Sequence, residues 1–203
     1  RAFDSAAAHL EESLAVNRDH QKARVLLAAI LRRRNPGDQA VEILDAVLKE
    51  DGLDHWARHE LMLCGKLGER EFLDACRNDA QTILDLCFDY ADAGFTKEAA
   101  ALLDLHLAHP VAGAAVPNPL SRAVSSLYVA AWLKNDKDLL EEARKQSPDY
   151  FFPSRLHEQL VLEWALAQPG SDPVAAYGLG NFSYDLKRHR DAISCWERSV
   201  IDG

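Results

Sequence analysis

His55 and His59 stand four apart in the stretch HWARHE, and two imidazoles at helical spacing can hold zinc. The order is not HExxH, because Glu60 follows the second histidine, and no third ligand is evident. A solvated helix face is the simpler expectation. His106 and His109, three apart near a helix end, suit the helix dipole as cations. Neither pair is expected to bind a metal, and no cofactor is expected. LRRRNPG (31–37) is the densest basic cluster, and a helix C-terminus accounts for Arg32, Arg33 and Arg34 without a ligand. DYFFPSR (149–155) sets Tyr150, Phe151 and Phe152 before a proline, either as a binding platform or, more simply, as a plug between successive helices. Glu11-Glu12 and Glu141-Glu142 are adjacent, and adjacent residues on a helix do not face each other, so neither is an acid/base dyad. There is no Gly-rich phosphate loop and no nucleophile elbow. Asn181-Phe182-Ser183 fits a glycosylation sequon but falls inside a helical pattern, where it is expected to stay unused. No catalytic residue is assigned.

The elements that carry these residues are helical. The chain has 203 residues, 48% of them hydrophobic, with Ala and Leu dominant, a composition that favours helix over sheet. A formal charge of -9 argues against tracking phosphate backbones and against a membrane surface. None of the four cysteines forms a CxxC pair, so reduced thiols in a cytoplasmic compartment are expected. No apolar run approaches the roughly 18 residues of a membrane span. The chain begins with Arg rather than Met, as an excised fragment would.

Apolar residues recur at an interval of 34: Ala6 with Ala40, Leu10 with Leu44, Leu14 with Leu48 and Leu27 with Leu61. The register then fails at Asp74 and Asn78. A second pattern lies within single hairpins. Residues 13, 17 and 21 positions after Leu27 are Ala40, Leu44 and Leu48; after Leu86, Ala99, Leu103 and Leu107; after Leu179, Ala192, Trp196 and Val200. An anchor on one helix is followed by a stripe on the next. The small residue admits a close backbone approach. Gly180, next to the anchor Leu179, is read the same way, with Ala192 and Ser199 opposite; Gly178 has no such reading. Trp132, Trp164 and Trp196 recur every 32 residues, on helices taken to be non-equivalent, so that recurrence is read as coincidence.

Caps and breaks give about twelve helices: 4–17, 21–34, 38–50, 54–66, 69–77, 80–93, 96–108, 119–134, 136–146, 154–168, 173–186 and 189–201. Asp172-Pro173 and Asn118-Pro119 are starts, Thr96 is an expected N-cap, and Gly94 an expected stop. The fold class is all-α, an α-solenoid of antiparallel helix pairs. One array over 1–203 is expected, with the Pro- and Gly-rich stretch 110–119 as a loop or subdomain break.

Leu179-Gly180, Tyr184, Ala192, Trp196 and Ser199 together resemble a tetratricopeptide repeat, although the aromatic stands one position late, with Ser183 at the usual site. Residues 21–54 and 80–109 resemble the pattern more loosely, and 173–203 carries it best. The segment from Asp149 onward also resembles the repeat region of long bacterial proteins that carry an upstream β-rich, carbohydrate-related domain. The resemblance implies a superhelix whose first helices line a concave groove. It implies a non-catalytic scaffold for a protein or peptide, or for another part of the same polypeptide. The candidate groove residues are Lys22, Val25, Ala29 and Arg33; Leu84, Phe88 and Ala91; and Tyr177, Asn181, Tyr184 and Asp185. Lys22 and Arg33 would clamp an acidic tail. The alternative is a helical accessory to a carbohydrate-active enzyme whose catalytic module lies outside the chain. A nucleic-acid partner is disfavoured by charge. Without a capping helix, Ile193, Trp196 and Val200 would form an exposed stripe open to self-association.

Overall fold

A computed structural model describes residues 2–35, 37–109 and 124–202. Among them are twelve helices and no strand: α1 (Ala2–Val16), α2 (Gln21–Arg34), α3 (Asp38–Glu50), α4 (His55–Leu63), α5 (Glu69–Ala75), α6 (Ala80–Asp92), α7 (Thr96–Ala108), α8 (Val124–Lys134), α9 (Lys137–Arg144), α10 (Leu156–Ala167), α11 (Pro173–Asp185) and α12 (His189–Asp202). The fold is all-α, built from packed helix pairs. The chain divides into two compact units, 1–77 and 78–203. The expected loop 110–119 and the Asn118-Pro119 start lie outside the described residues.

In the first unit α2 packs on α1, α3 and α4, and α5 packs on α4. In the second, α6 pairs with α7, α8 with α9, and α11 with both α10 and α12; α8 also touches α6, α7 and α10, and α9 touches α11. The hairpin template holds at its centre. Ala40, Ala99 and Ala192 are all buried, and Leu44 and Leu103 lie beneath them in the core. Val200, the last position of the third copy, is exposed, as is Ile193, while Trp196 is half-buried.

Starts follow side-chain chemistry. Asp54, Asp79, Asp136 and Asp172 each accept a backbone N–H of the first helical turn. Thr96 is not a cap: it is the first residue of α7, and Phe95, buried against Tyr90, precedes it. Gly94 has φ +80, the left-handed conformation that ends α6.

Both helical glycines of α11 are required by aromatic rings. A Cβ on Gly180 would lie 2.4 Å from Cδ1 and Nε1 of Trp196. The close approach is therefore glycine against an indole, rather than the small-on-small contact expected from Ala192 and Ser199. A Cβ on Gly178 would lie 2.3 Å from Cε1 of Phe151. Alanine would add about 1 kcal/mol of helix propensity at either site. Overpacking costs about 1–3 kcal/mol, and approaches this short belong at the upper end. Gly178→Ala and Gly180→Ala should therefore each lose about 1–2 kcal/mol, read as a lower urea midpoint by circular dichroism.

Candidate binding surface

The residues proposed from sequence separate into three groups. Val25, Ala29, Leu84 and Phe88 are buried in helix packing and cannot face a ligand. They were placed on an inner face by helical phase, but α2 and α6 are buried around most of their circumference. Lys22 and Arg33 are exposed, yet each cation already lies over a ring: Lys22 Nζ is 5.6 Å from the Trp56 centroid and Arg33 Cζ 5.0 Å from that of Phe3. The other arginines of the cluster clamp this chain's own acids. Arg34 pairs with Asp4, and Arg32 makes two bonds to Glu60, Nε to Oε2 at 2.6 Å and Nη2 to Oε1 at 3.3 Å.

The third group lies in the last hairpin. Asn181 is turned inward: its Nδ2 donates to Phe151 O at 2.9 Å and its Oδ1 accepts from Trp196 Nε1 at 3.2 Å. Tyr177 is half-buried, while Tyr184 and Asp185 are exposed; Ala91, on α6, is half-buried as well. Tyr184 packs beside His189 and Trp196, with centroids 5.3 and 5.6 Å away.

The α6 and α11 sets do not share a layer. α6, α8 and α10 pack in succession, while α11 packs on α9. Arg198 of α12 donates to Leu166 O of α10, which places α12 beside that first row. Trp132, Trp164 and Trp196 therefore mark α8, α10 and α12, every second helix. The 32-residue recurrence was the one sequence signal for this layer.

The outer part of α6 is held by α10. Arg155 Nε donates to Asp85 Oδ1 at 2.6 Å, and its two terminal nitrogens reach the side chain and carbonyl of Gln81. His157 stacks on Phe88 at 4.5 Å and 18°, and lies 3.1 Å from Asp92 Oδ1. Glu158 anchors the start of α10 from within. It accepts the Ser125 hydroxyl at 2.6 Å and the amides of Ser154 and Arg155. Opposite the packed face of α10, Leu156 and Leu160 stand one turn apart, 67% and 58% exposed. Tyr150 and Phe152, 57% and 55% exposed, precede them. Between those two, Phe151 is buried. The DYFFPSR stretch is thus both plug and surface.

Residues 1–60 match the model of the tetratricopeptide repeat family. Those residues carry tetratricopeptide repeat sequence. The match covers α1–α3 and most of α4, and includes the segment 21–54 and three of the four pairs of the 34-residue recurrence. No curated protein matches the chain. Tetratricopeptide repeats serve as protein-interaction scaffolds. No helix among the described residues is long and apolar enough to cross a membrane.

Two of the singled-out histidines, His59 and His106, are core residues. His59 is buried with its ring 5.0 Å from Phe72, so the expected solvated face is wrong here. Burial, then the nearby Arg32 charge, lowers its pKa to about 3. His106 is likewise buried and its pKa lowered by burial; its Nδ1 lies 2.6 Å from Asn78 Oδ1. It does not serve as a cation for the helix dipole. No group of three potential metal ligands occurs among the described residues. None of the four cysteines forms a disulfide, and burial raises the Cys87 thiol to about 12.

The sign of the pH effect follows. An unfolded histidine titrates near 6.5, so between that value and about 3 the unfolded chain binds the extra proton. Stability is full above the unfolded pKa and is lost as pH falls. From pH 7 to pH 5 the loss from His59 should be about 2 kcal/mol. Urea titrations at the two pH values check it, and His59→Gln should flatten the difference.

Proposed function

We propose that the chain is a non-catalytic scaffold that binds a protein or peptide, and that the exposed face of α10 with the strap before it forms the contact surface. The observation that carries this reading is the cluster Tyr150, Phe152, Leu156 and Leu160, four large apolar side chains each more than half exposed within eleven residues of chain. Apolar clusters of this kind on folded proteins mark interaction sites. The cluster is rimmed by the Arg155–Asp85 ion pair and the His157–Asp92 contact, an apolar centre with a polar edge. The residues first expected to line a groove contribute little: Val25, Ala29, Leu84 and Phe88 are buried.

A displayed peptide library panned against the purified chain tests the proposal. Recovered peptides should share a pattern, and Leu156→Glu with Leu160→Glu should lower their affinity about 100-fold, the effect of removing two anchors. Both substitutions are solvent-facing, so helicity should be unchanged. Peptides that bind the double variant as tightly as the native chain would sink the assignment of this surface.

A further inference from the structure

Phe151 is a side chain from a loop seated in a socket built by helices. Its ring runs parallel to that of Tyr128 of α8, 12° apart with centroids separated by 6.1 Å. Gly178 of α11 gives it room that any side chain would fill. Ser125, Val129, Glu158, Val161 and Leu162 line the space beside the ring, which is too narrow for water. The ring therefore fits as a ligand would.

The attachment of the strap contrasts with that fit. Two backbone bonds form at Phe151: its N–H donates to Pro148 O at 3.0 Å within the strap, and its carbonyl accepts from Asn181 Nδ2 at 2.9 Å, while the Ser154 and Arg155 amides fix the strap's far end on Glu158. The first closes a turn whose third residue is Tyr150 at φ +59, a position that favours glycine and strains a bulky side chain. Releasing the strap relieves that conformation. Both flanking aromatics are already in solvent.

We propose that Phe151 is an exchangeable occupant, and that the socket of Tyr128, Val161, Leu162 and Gly178 takes an aromatic side chain of a partner peptide in its place. The occupant is argued from Phe151 itself, which shows the size and chemistry the socket accepts. Tyr150, Phe152 and Leu156 then contact the rest of the incoming segment. This inference rests on the scaffold reading and names the partner's anchoring residue. Competition from the tethered ring should weaken apparent binding by the fraction of time the socket is open.

The probe is the free heptapeptide PDYFFPS, the strap's own residues 148–154. Its control is PDYAFPS, which lacks the ring. Fluorescence anisotropy is read on the full chain and three variants. Phe151→Ala empties the socket and should bind PDYFFPS at least about tenfold tighter than the native chain. Asn181→Ala loosens the strap, at the cost of the Trp196 Nε1 bond on the other side, and should fall between them. Gly178→Ala fills the socket and should bind neither peptide. If Phe151→Ala fails to fold, Asn181→Ala decides. Folded variants that bind PDYFFPS no better than the native chain, or that bind PDYAFPS equally, overturn the proposal. Dimerisation of Asn181→Ala without peptide would also overturn it, because the socket would then take a second copy's Phe151. The assay needs no natural partner, so its failure leaves the α10 surface to be judged by the library experiment.

Discussion

Asp172→Ala should be among the most damaging single substitutions in the second unit, at about 3–5 kcal/mol. The carboxylate is fully buried and serves three donors. Tyr128 OH donates to Oδ1 at 2.7 Å, the Ala175 amide to the same oxygen at 2.9 Å, and Arg144 Nε to Oδ2 at 3.3 Å. Removing it deletes the α11 cap, worth about 1 kcal/mol. It also strands a buried hydroxyl, at about 1–3 kcal/mol, and takes away one partner of a nearly buried guanidinium. Arg144 keeps Glu141 Oε1 at 2.6 Å and Pro169 O at 3.0 Å, which holds the total toward the lower end of the range. Burial, and then the Asp172 charge, push the Tyr128 pKa upward, so the phenol stays a donor at every pH the fold survives. Two companions sharpen the test. Asp172→Asn keeps an acceptor for the cap and the phenol and should cost less than half as much. Tyr128→Phe leaves the carboxylate with its other two partners and should cost about 1 kcal/mol. Urea midpoints for the three variants should rank in that order, with Asp172→Ala lowest.

These networks mark the limit of what the sequence makes legible. The hairpin template reads correctly at Ala40, Ala99 and Ala192, because a small residue at fixed spacing from an anchor is a local property of two consecutive helices. The close approach at Gly180 was readable for the same reason, since it is made to the next helix, although the partner is Trp196 and not Ala192 or Ser199. Gly178 was not, because its partner Phe151 belongs to a loop two elements earlier. The α6 face failed similarly. Helical phase places Phe88 outward from its own hairpin, but His157 of α10 returns to cover it. The α11 residues were assigned to the α6 layer because motif order, taken alone, makes α11 a first helix. The tryptophan interval pointed to α8, α10 and α12 instead, and packing agrees with the tryptophans.

Arg32 and Glu60 should show strong coupling in the first unit. Glu60 is 0% exposed, and Arg32 meets it with two bonds from a neighbouring helix. Breaking a buried pair by removing one partner costs about 3–5 kcal/mol, because the other charge stays behind without water. Replacing both with apolar residues removes the stranded charge as well as the attraction, and is often neutral. Arg32→Met should be the worse single change, since it takes two charge-assisted bonds from the more deeply buried group. Glu60→Leu leaves a guanidinium whose side chain retains 13% exposure and can reach solvent. The double variant should recover most of the loss and lie within about 1–2 kcal/mol of the native chain. A double-mutant cycle in urea measures the difference directly. Additive costs would mean that the two side chains act independently, and that the pair does little to join α2 to α4. Coupling of about 3 kcal/mol or more would make it the specific lock between those helices. The pH arm gives a separate reading. Arg32 is the second cause of the depressed His59 pKa, after burial. Arg32→Met should therefore raise the pH, below 5, at which the His59 contribution to acid destabilisation levels off.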